Sequence, residues 1–427
     1  MGRWTGLLGI AVLIGAALLV SNNRRRVRPR IVIGGILLQV VLAFFVLRVP
    51  QAEALFDGMA HVATRVLRFT DQGAAFIFGT DLYTNKAAGF IFAIHVLPTI
   101  IFFASLMTVL YHLGIMQLVV RAMAFVMGRT MGVTGAESLA VAANVFVGQT
   151  EAPLVIKPYI PKMTQSELMT LMTGGFATIA GSVFAAYVAM LGGDDPARCV
   201  LFAKHLLAAS VMSAPAAFVV SKIMVPETQE SVTAGHVRIR FEKKTINLLD
   251  AATSGATDGL RLAANVAAML LALLALLAGV DYVLTAIGEI SWIKPAVTGM
   301  GMDSLCLKNI LGLLFSPLAW TLGADPADIR AVGSLLGEKL VLTEFVAYGS
   351  LADMIHQQPG LSPKSTIIAT YALCGFANFG SIAIQLGGIG SLAPQRRGDL
   401  ARLGLRAMLA GAMASFMTAA IAGILVA

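Results

Sequence analysis

Thr-Glu at 150–151 is followed by Gly-Phe-Ala-Thr at 175–178, and the same order returns as Thr-Glu at 343–344 and Gly-Phe-Ala-Asn at 375–378. Both copies lie in strongly apolar sequence. A carboxylate at bilayer depth costs several kcal/mol unless the protein interior or a water-filled cavity receives it. Many secondary transporters hold a solute and its coupling ion between duplicated, broken helices that meet at the membrane midplane. The repeated phrase therefore predicts two half-sites of this kind.

The composition is that of a polytopic membrane protein with an all-α fold. Hydrophobic residues make up 57% of the 427 residues and charged residues 13%, whereas about 25% of the residues in soluble domains are charged. A helix needs about 20 apolar residues to cross ~30 Å of hydrocarbon. Eight transmembrane helices are predicted on this basis: Trp4–Val20, Ile31–Leu47, Ala88–Leu113, Leu168–Leu191, Val200–Val220, Leu260–Ile287, Ser365–Leu386 and Gly404–Ala427.

The positive charge sets the predicted orientation. The net charge is +8, but the basic residues cluster beside apolar spans, which is typical of cytoplasmic loops and argues against nucleic-acid binding. If Met1 lies outside, the main clusters all fall on the cytoplasmic side, so both termini are predicted to face the other side. The clusters are Arg24–Arg30, Arg238–Lys244 and Arg396–Arg397.

Two further apolar stretches, Ala136–Ile160 and Ala327–Ile355, carry polar residues near their centres. Counting either as one crossing would reverse all later loops and spoil the charge asymmetry. Each is therefore interpreted as a re-entrant hairpin with a polar tip, because non-helical backbone at that depth is tolerated only against protein or a water-lined cavity. Thr150 and Thr343 are each expected to cap the second half-helix of their hairpin.

The two hairpins start from opposite sides of the membrane, and each is followed by a broken span and a further span. This order predicts an inverted repeat of Ala136–Val220 against Ala327–Ala427. Ser221–Gly259 is predicted as a cytoplasmic connector, Asp303–Gly323 as an interfacial helix on the outer side, and Phe56–Asn85 as a surface segment.

Each hairpin acid has two interpretations. Glu151 either caps a helix end by accepting backbone N–H bonds or binds a ligand, and the flexible or polar neighbours Gly148 and Gln149 favour the second. The same alternatives hold for Glu344, and the repeat favours a shared cavity. An ion pair with the adjacent Glu338 or another neighbour is the preferred account of Lys339.

Asn144, Val147, Thr178 and Ile179 could bring side-chain oxygens and backbone carbonyls together around a hard monovalent cation. Local helix-end hydrogen bonds are the alternative for this group. In the second break, Asn378 needs polar partners inside a membrane helix, whereas Phe376 alone would be interpreted as core. The three cysteines lie far apart, so neither a disulfide framework nor a zinc site is supported.

Four motifs together resemble the signatures of the concentrative nucleoside transporters, and the resemblance covers nearly the whole chain. They are Gly148–Glu151, Gly175–Ser182, Glu344–Tyr348 and Gly375–Ser381. Within that family the chain is similar to a bacterial member with eight spans. It departs at Thr343, where the family commonly has Asn, which leaves base preference open.

The resemblance implies a homotrimer, in which a scaffold carries mobile transport domains that cross the membrane as elevators. Ala88–Leu113 and Leu260–Ile287 would form the trimer contacts. The resemblance also divides the chain into four parts. Residues 1–127 would be scaffold helices with an interfacial segment, and 128–222 the first transport-domain repeat. Residues 223–326 would be the connector with a scaffold helix and an outer helix, and 327–427 the second repeat.

The resemblance also implies the roles of the site residues. Sodium would be coordinated by Asn144, Val147, Thr178 and Ile179; the nucleobase would be addressed by Gln149, Thr150 and Glu151, with Val183 and Phe376 against its ring; the ribose hydroxyls would be bound by Glu344, Asn378 and Ser381.

The chain is accordingly predicted to be a sodium-coupled nucleoside importer of the inner membrane. Protons in place of sodium remain an open alternative, and no organic cofactor is expected. An elevator transporter for amino acids or dicarboxylates is the nearest rival, although acidic solutes should meet a cationic group and both hairpin tips carry Glu. An intramembrane enzyme such as a prenyl-lipid transferase is disfavoured, because neither a metal-binding Asp cluster nor a nucleophile–base pair occurs.

Overall fold

The computed structural model describes residues 2–84, 91–193, 195–233, 245–357 and 360–426. The predicted start of the third span at Ala88, the ends of two segments at Asn85 and Ala427, and the basic cluster Arg238–Lys244 lie outside these ranges. Within them every regular element is a helix, as the composition predicts.

The helices before the first hairpin are α1 (Gly2–Leu19), α2 (Pro29–Arg48), α3 (Pro50–Leu67), α4 (Phe69–Phe78), α5 (Thr80–Thr84), α6 (Phe92–His95), α7 (Leu97–His112) and α8 (Ile115–Met131). The first repeated group comprises α9 (Gly135–Asn144), α10 (Ala152–Val155), α11 (Gln165–Ala177), α12 (Gly181–Gly192) and α13 (Pro196–Met224). Between the groups lie α14 (Leu248–Gly288), α15 (Lys294–Gly299) and α16 (Leu307–Leu322). The second group comprises α17 (Ile329–Val341), α18 (Glu344–His356), α19 (Pro363–Leu373), α20 (Phe379–Leu392) and α21 (Arg397–Val426).

Six helices of the described chain are long and apolar enough to cross a membrane: Pro29–Arg48, Phe92–His112, Gln165–Gly192, Pro196–Met224, Leu248–Gly288 and Pro394–Val426. Three shorter apolar helices accompany them: Trp4–Leu19, Leu307–Leu322 and Phe379–Leu392. Six of the eight predicted spans are thus matched by length and composition. The other two predicted spans correspond to α1 and to the broken pair α19–α20, so the total of eight stays a prediction.

The two groups share one order of elements: two helices that form a hairpin, a helix broken in its middle, and a long final helix. These elements supply the buried core. In an apolar 18-residue stretch of α11–α12, 83% of the residues are buried, and in that of α13 89% are buried, against 11% in that of α14. The predicted repeat is therefore present in the element order. Its inverted membrane orientation stays a prediction.

Two stretches differ from the sequence prediction. The connector was predicted to reach Gly259, but α14 already begins at Leu248 and runs for 41 residues. The Asn247 side chain caps it by accepting a hydrogen bond from the Asp250 N–H at 2.8 Å. In addition, α8 lies where no regular element was predicted, between the third span and the first hairpin.

The first hairpin is less regular than predicted. Its second arm, α10, has only 4 residues, and it begins after Glu151 without a side-chain cap. Pro153 lies in the first turn of α10, and the chain passes into turns after Val155. The prediction that Thr150 caps a second half-helix is therefore wrong, because that arm is a single helical turn whose N-cap position belongs to Glu151.

The second hairpin has the two predicted helices, α17 and α18, joined through Leu342 and Thr343, and its re-entrant position in the membrane stays a prediction. Thr343 caps α18, and its Oγ1 accepts a hydrogen bond from the Val346 N–H at 3.3 Å. This bond satisfies one of the N–H groups that a helix start leaves without a partner.

We expect Thr343→Ala to lower the free energy of unfolding by about 1 kcal/mol, as loss of a helix cap usually does. Thr343→Asn should be nearly neutral, because the Asn side chain also caps well. Thermal unfolding in detergent measures both. Equal destabilisation by the two variants would contradict a capping role.

The two helix breaks touch each other. Gly375 has φ +124, and a Cβ there would lie 2.6 Å from the Phe176 carbonyl oxygen and 2.9 Å from the Ala177 carbonyl carbon. Gly411 of α21 approaches the same place, where an added Cβ would lie 2.3 Å from the Phe176 Cβ. The repeated Gly-Phe-Ala phrase therefore marks a backbone-to-backbone contact between the two groups.

We expect Gly375→Ala to destabilise the protein by at least ~2 kcal/mol, because the side chain meets both backbone strain and a steric clash. Gly387→Ala, on α20 of the same broken span, is the matched control, since nothing lies within 4 Å of its added Cβ. The control should be neutral or slightly stabilising. Similar melting temperatures for the two variants would show that the close contact is not needed.

A polar network joins the starting ends of α9 and α11. Glu137 accepts from the Thr134 N–H at 2.8 Å, and Glu167 accepts from the Thr164 N–H at 2.9 Å, so both helices begin with the same Thr-x-x-Glu arrangement. Lys222 at the end of α13 pairs with Glu137 at 2.6 Å and donates to the Ser166 hydroxyl at 3.0 Å. The network fixes these two helices at the ends opposite to those that carry Asn144 and Thr178.

Candidate functional site

Glu344 is the most enclosed of the predicted ligand-binding acids. It is the first residue of α18 and is 3% exposed. Its Oε2 accepts from the Asn378 Nδ2 at 2.7 Å, and its Oε1 accepts from the Tyr187 hydroxyl at 3.2 Å. A buried carboxylate held by two donors is a strong acceptor for further hydroxyl groups.

Asn378 is placed by the second helix break. It is the N-cap residue of α20, and its Oδ1 accepts from the Ser381 N–H at 2.9 Å, which leaves the amide nitrogen for Glu344. Asn378 and Ser381 are buried, whereas Phe376, in the break itself, is half-buried. The structure therefore brings the predicted ribose-binding residues Glu344, Asn378 and Ser381 together.

Tyr187 was not predicted, although it bonds Glu344 directly. Its ring stacks on Tyr348 with centroids 4.2 Å apart, and both rings are fully buried. Tyr187 belongs to α12 in the first group and Glu344 to the second, so this bond joins the two half-sites. The only signal for such a residue in the sequence is a side chain with a polar end, here the tyrosine hydroxyl, on an otherwise apolar helix.

The tip of the first hairpin has a different environment. Gln149 is buried, whereas Thr150 and Glu151 are exposed. The Glu151 Oε2 accepts from the Gly148 N–H at 3.1 Å, so one of its oxygens makes the local bond that was the alternative interpretation. The two hairpin acids are thus not equivalent, because Glu344 is enclosed by side chains of both groups and Glu151 lies at an open edge.

α20 supports this tip. The Gln385 Nε2 donates to the Gln149 Oε1 at 2.9 Å, and a Cβ added to Gly388 would lie 3.1 Å from the Thr150 Cγ2. Gln385 was not predicted either. Val183, in the first turn of α12, is 2% exposed.

The candidate cation site lies where the first hairpin tip meets the first break. The Thr178 Oγ1 donates to the carbonyls of Asn144 and Gly174, each at 2.9 Å, and the Gly181 N–H donates to the Phe146 carbonyl at 3.0 Å. For Thr178 the local helix-end hydrogen bonds of the alternative interpretation are therefore present. They hold the two segments together.

The Asn144 side chain is the unusual part of this place. The residue is 1% exposed, and neither its Oδ1 nor its Nδ2 has a partner within the described chain. A buried polar group without a partner costs about 1–3 kcal/mol, so a ligand at this position would be stabilised. Val147 and Ile179 are buried and lie in non-helical backbone, whose carbonyl groups can coordinate a cation.

Lys339 does not form the predicted ion pair. Its Nζ donates to the Ala372 carbonyl and to the Ser415 hydroxyl, each at 2.7 Å, and lies 5.4 Å from the centroid of the Phe416 ring. Ala372 is in the last turn of α19, where the helix dipole favours a cation. Lys339 thus stabilises the end of a half-helix, and the preferred account in terms of Glu338 was wrong.

Three family models match: Na+ dependent nucleoside transporter N-terminus over residues 8–81, nucleoside recognition over 93–194, and Na+ dependent nucleoside transporter C-terminus over 205–423. An uncharacterized transporter of Haemophilus influenzae is 42% identical over 100% of this chain and 98% of its own length.

A cotransporter and a solved structure are similar as well. Sodium/nucleoside cotransporter 1 of Rattus norvegicus is 40% identical over 98% of this chain and 63% of its own length. The solved structure of CNTnw in an inward-facing substrate-bound state has a TM-score of 0.89 and 41% identity, and the match covers 100% of this chain and 98% of that one.

Proposed function

Because the chain belongs to the Na+ dependent nucleoside transporter family, and is a multi-pass membrane protein, we propose that it imports nucleosides across the inner membrane by sodium symport. The observation that carries this proposal is the buried Glu344 carboxylate, held by Asn378 and Tyr187 where the two repeats meet. The relatives are transporters, which agrees with a role in transport rather than catalysis.

Ribose chemistry suits this group. A ribose offers vicinal hydroxyls, and a carboxylate beside an amide accepts from and donates to them. A substrate without one hydroxyl would leave a buried polar group unpaired, which is the strongest source of discrimination available to such a site. We assign ribose recognition to Glu344, Asn378 and Ser381.

The nucleobase is proposed to lie between the first hairpin tip and the second break. Gln149, Thr150 and Glu151 supply the polar contacts, and Phe376 and Val183 contact the ring faces. The half-buried position of Phe376 leaves an aromatic surface open for stacking.

Sodium is proposed to bind at Asn144, Val147, Thr178 and Ile179, as a co-transported substrate. The unpartnered Asn144 side chain supports this assignment. The Thr178 bond to the Asn144 carbonyl joins the end of the first arm of the hairpin to the break. A cation there would therefore order the adjoining segment, which carries Gln149. Nucleoside and sodium should then raise each other's affinity by the same factor.

The transport cycle is proposed to be an elevator in a homotrimer. The two repeats contact each other through backbone at Gly375 and through side chains at Tyr187 and Gln385, which supports movement as one body. α7 and α14 would form the trimer contacts, and α14 exposes a long apolar surface.

Uptake into proteoliposomes tests the proposal. A sodium gradient should drive uridine accumulation, and the gradient should be varied independently of pH so that proton coupling would be detected. Uptake that ignores both gradients would remove the coupling. Preferential uptake of glutamate or a dicarboxylate would show that the substrate is an acidic solute instead. Against that outcome, Lys339 of the second hairpin already donates to the Ala372 carbonyl and the Ser415 hydroxyl.

A further inference from the structure

Two glutamines from different repeats form a buried pair. Gln149 lies in the first hairpin tip and Gln385 on α20, 236 residues further along the chain. They are 7% and 1% exposed. The Gln385 Nε2 donates both to the Gln149 Oε1 at 2.9 Å and to the Met172 carbonyl at 3.0 Å.

The Met172 carbonyl decides how both amides are oriented. A backbone carbonyl only accepts hydrogen bonds, so Gln385 must turn its NH2 group toward it. The second hydrogen of that NH2 points to Gln149, which must therefore present its oxygen. The Gln385 Oε1 is left buried with no partner in the described ranges, so the amide loses an acceptor bond in order to donate twice.

This arrangement leaves Gln149 with a defined polarity. Its oxygen faces and accepts from the Gln385 amide, so its own NH2 group is the end of the amide that can face a ligand. Gly175 supplies the room for the pair, because a Cβ there would lie 2.7 Å from the Gln385 Nε2 and 2.9 Å from the Gln149 Cβ. The glycine of the first Gly-Phe-Ala phrase is therefore required by the glutamine pair.

We propose that Gln385 is a positioning residue for nucleobase selection, which fixes Gln149 as a hydrogen-bond donor toward the base. The inference rests on the proposed function, since it needs a base beside Gln149. The protein should then prefer bases that present a carbonyl acceptor, such as uracil and hypoxanthine, over those that present an amino group, such as cytosine and adenine.

The test compares paired substrates in proteoliposomes with saturating sodium. Uridine and cytidine differ in the carbonyl or amino group of the base, and inosine and adenosine differ in the same way within the purines. The wild-type ratio of KM values should favour uridine and inosine. Using both pairs separates the amide polarity from any preference for ring size.

Two variants change the polarity in different ways. Gln385→Leu frees the Gln149 amide to rotate, so each preference should fall roughly threefold to tenfold, toward parity. Gln385→Glu keeps the size but has at most one hydrogen to donate, which the Met172 carbonyl takes. Its other oxygen can then only accept from Gln149, so the Gln149 NH2 turns away from the base and the preference should reverse. Gln229→Leu, at an exposed position of the connector, should leave the ratios unchanged.

A merely structural role would alter all KM values alike. Uridine should therefore also be compared with 3′-deoxyuridine, because this ribose discrimination depends on Glu344 and should survive both Gln385 variants. In a Gln149→Leu background, changes at Gln385 should no longer move the base ratios. If one Gln385 variant fails to fold, the other and this background decide.

Three results would overturn the inference. They are a wild-type preference for cytidine and adenosine, an unchanged base ratio in Gln385→Leu, or an equal shift of base and ribose discrimination. Failure of the proposed function looks different, because the wild-type protein itself would then take up none of the four nucleosides.

Discussion

Glu344→Gln is expected to weaken nucleoside binding by at least about a hundredfold, because hydrogen bonds to a charged group contribute about 1.5–3 kcal/mol each and two ribose hydroxyls are involved. Asn378 already donates to one carboxylate oxygen and Tyr187 to the other. The Gln side chain also places an NH2 group where one of these donors now points. Isothermal titration of detergent-solubilised protein with uridine measures the loss.

Asp353→Asn is the matched control for this prediction. It makes the same chemical change on the same helix, α18, at an exposed position. Binding by the control should equal that of the wild type. Glu344→Gln should also reduce the discrimination between uridine and 3′-deoxyuridine, because the hydroxyl loses its charged partner. Binding within twofold of the wild type would refute the ribose assignment.

Asn144→Ala is expected to raise the sodium concentration for half-maximal uridine uptake by at least about tenfold, which corresponds to roughly 1.4 kcal/mol. The variant removes a buried side-chain oxygen that has no partner in the described part of the chain and that we assign to the cation. Uptake at saturating sodium should be reduced less, since Asn144 does not contact the base in this assignment.

The unfolding temperature provides a second, independent test of the role of Asn144. Without sodium the two unpartnered polar atoms of Asn144 destabilise the protein, so the Ala variant should unfold at a higher temperature than the wild type in sodium-free buffer. Sodium should then stabilise the wild type and leave the variant unchanged, because only an ion that binds the folded state shifts unfolding.

Asn309→Ala serves as the control. Asn309 lies on α16 and donates to the Ser304 carbonyl at 2.9 Å, so its removal should change neither the sodium dependence nor the sodium-induced stabilisation. If Asn144→Ala kept the wild-type sodium dependence but lost uridine affinity, the cation would have to bind elsewhere.

The parts of the fold that could be predicted from the sequence are those where polar residues interrupt an apolar run. The hairpin at Thr343, the break at Gly375 and the repeated order of elements follow from such interruptions, since an unpaired backbone is not tolerated at that depth. The end of the connector was not predicted correctly, because Asp250, which lies within its predicted bounds, belongs to the first turn of α14.

The candidate site was predictable only in its local parts. Asn378 and Glu344 follow visible motifs, whereas Tyr187 and Gln385 lie on apolar helices and find their partners 157 and 236 residues away. Spacing along the chain contains no information on such pairs. Thr150 failed as a cap for a local reason, because the arm that follows it is a single turn.

The contact of Gly375 with Phe176 and Ala177 also constrains how this protein can diverge. Because the two backbones are in direct contact there, no side chain can adjust to a change in either one, and the backbone path of each repeat constrains that of the other. A hybrid that joins the first half of this chain to the second half of a distant relative would need a glycine at the same place and the same helix path around it. Substitutions at this contact are consequently tolerated only when both repeats change together.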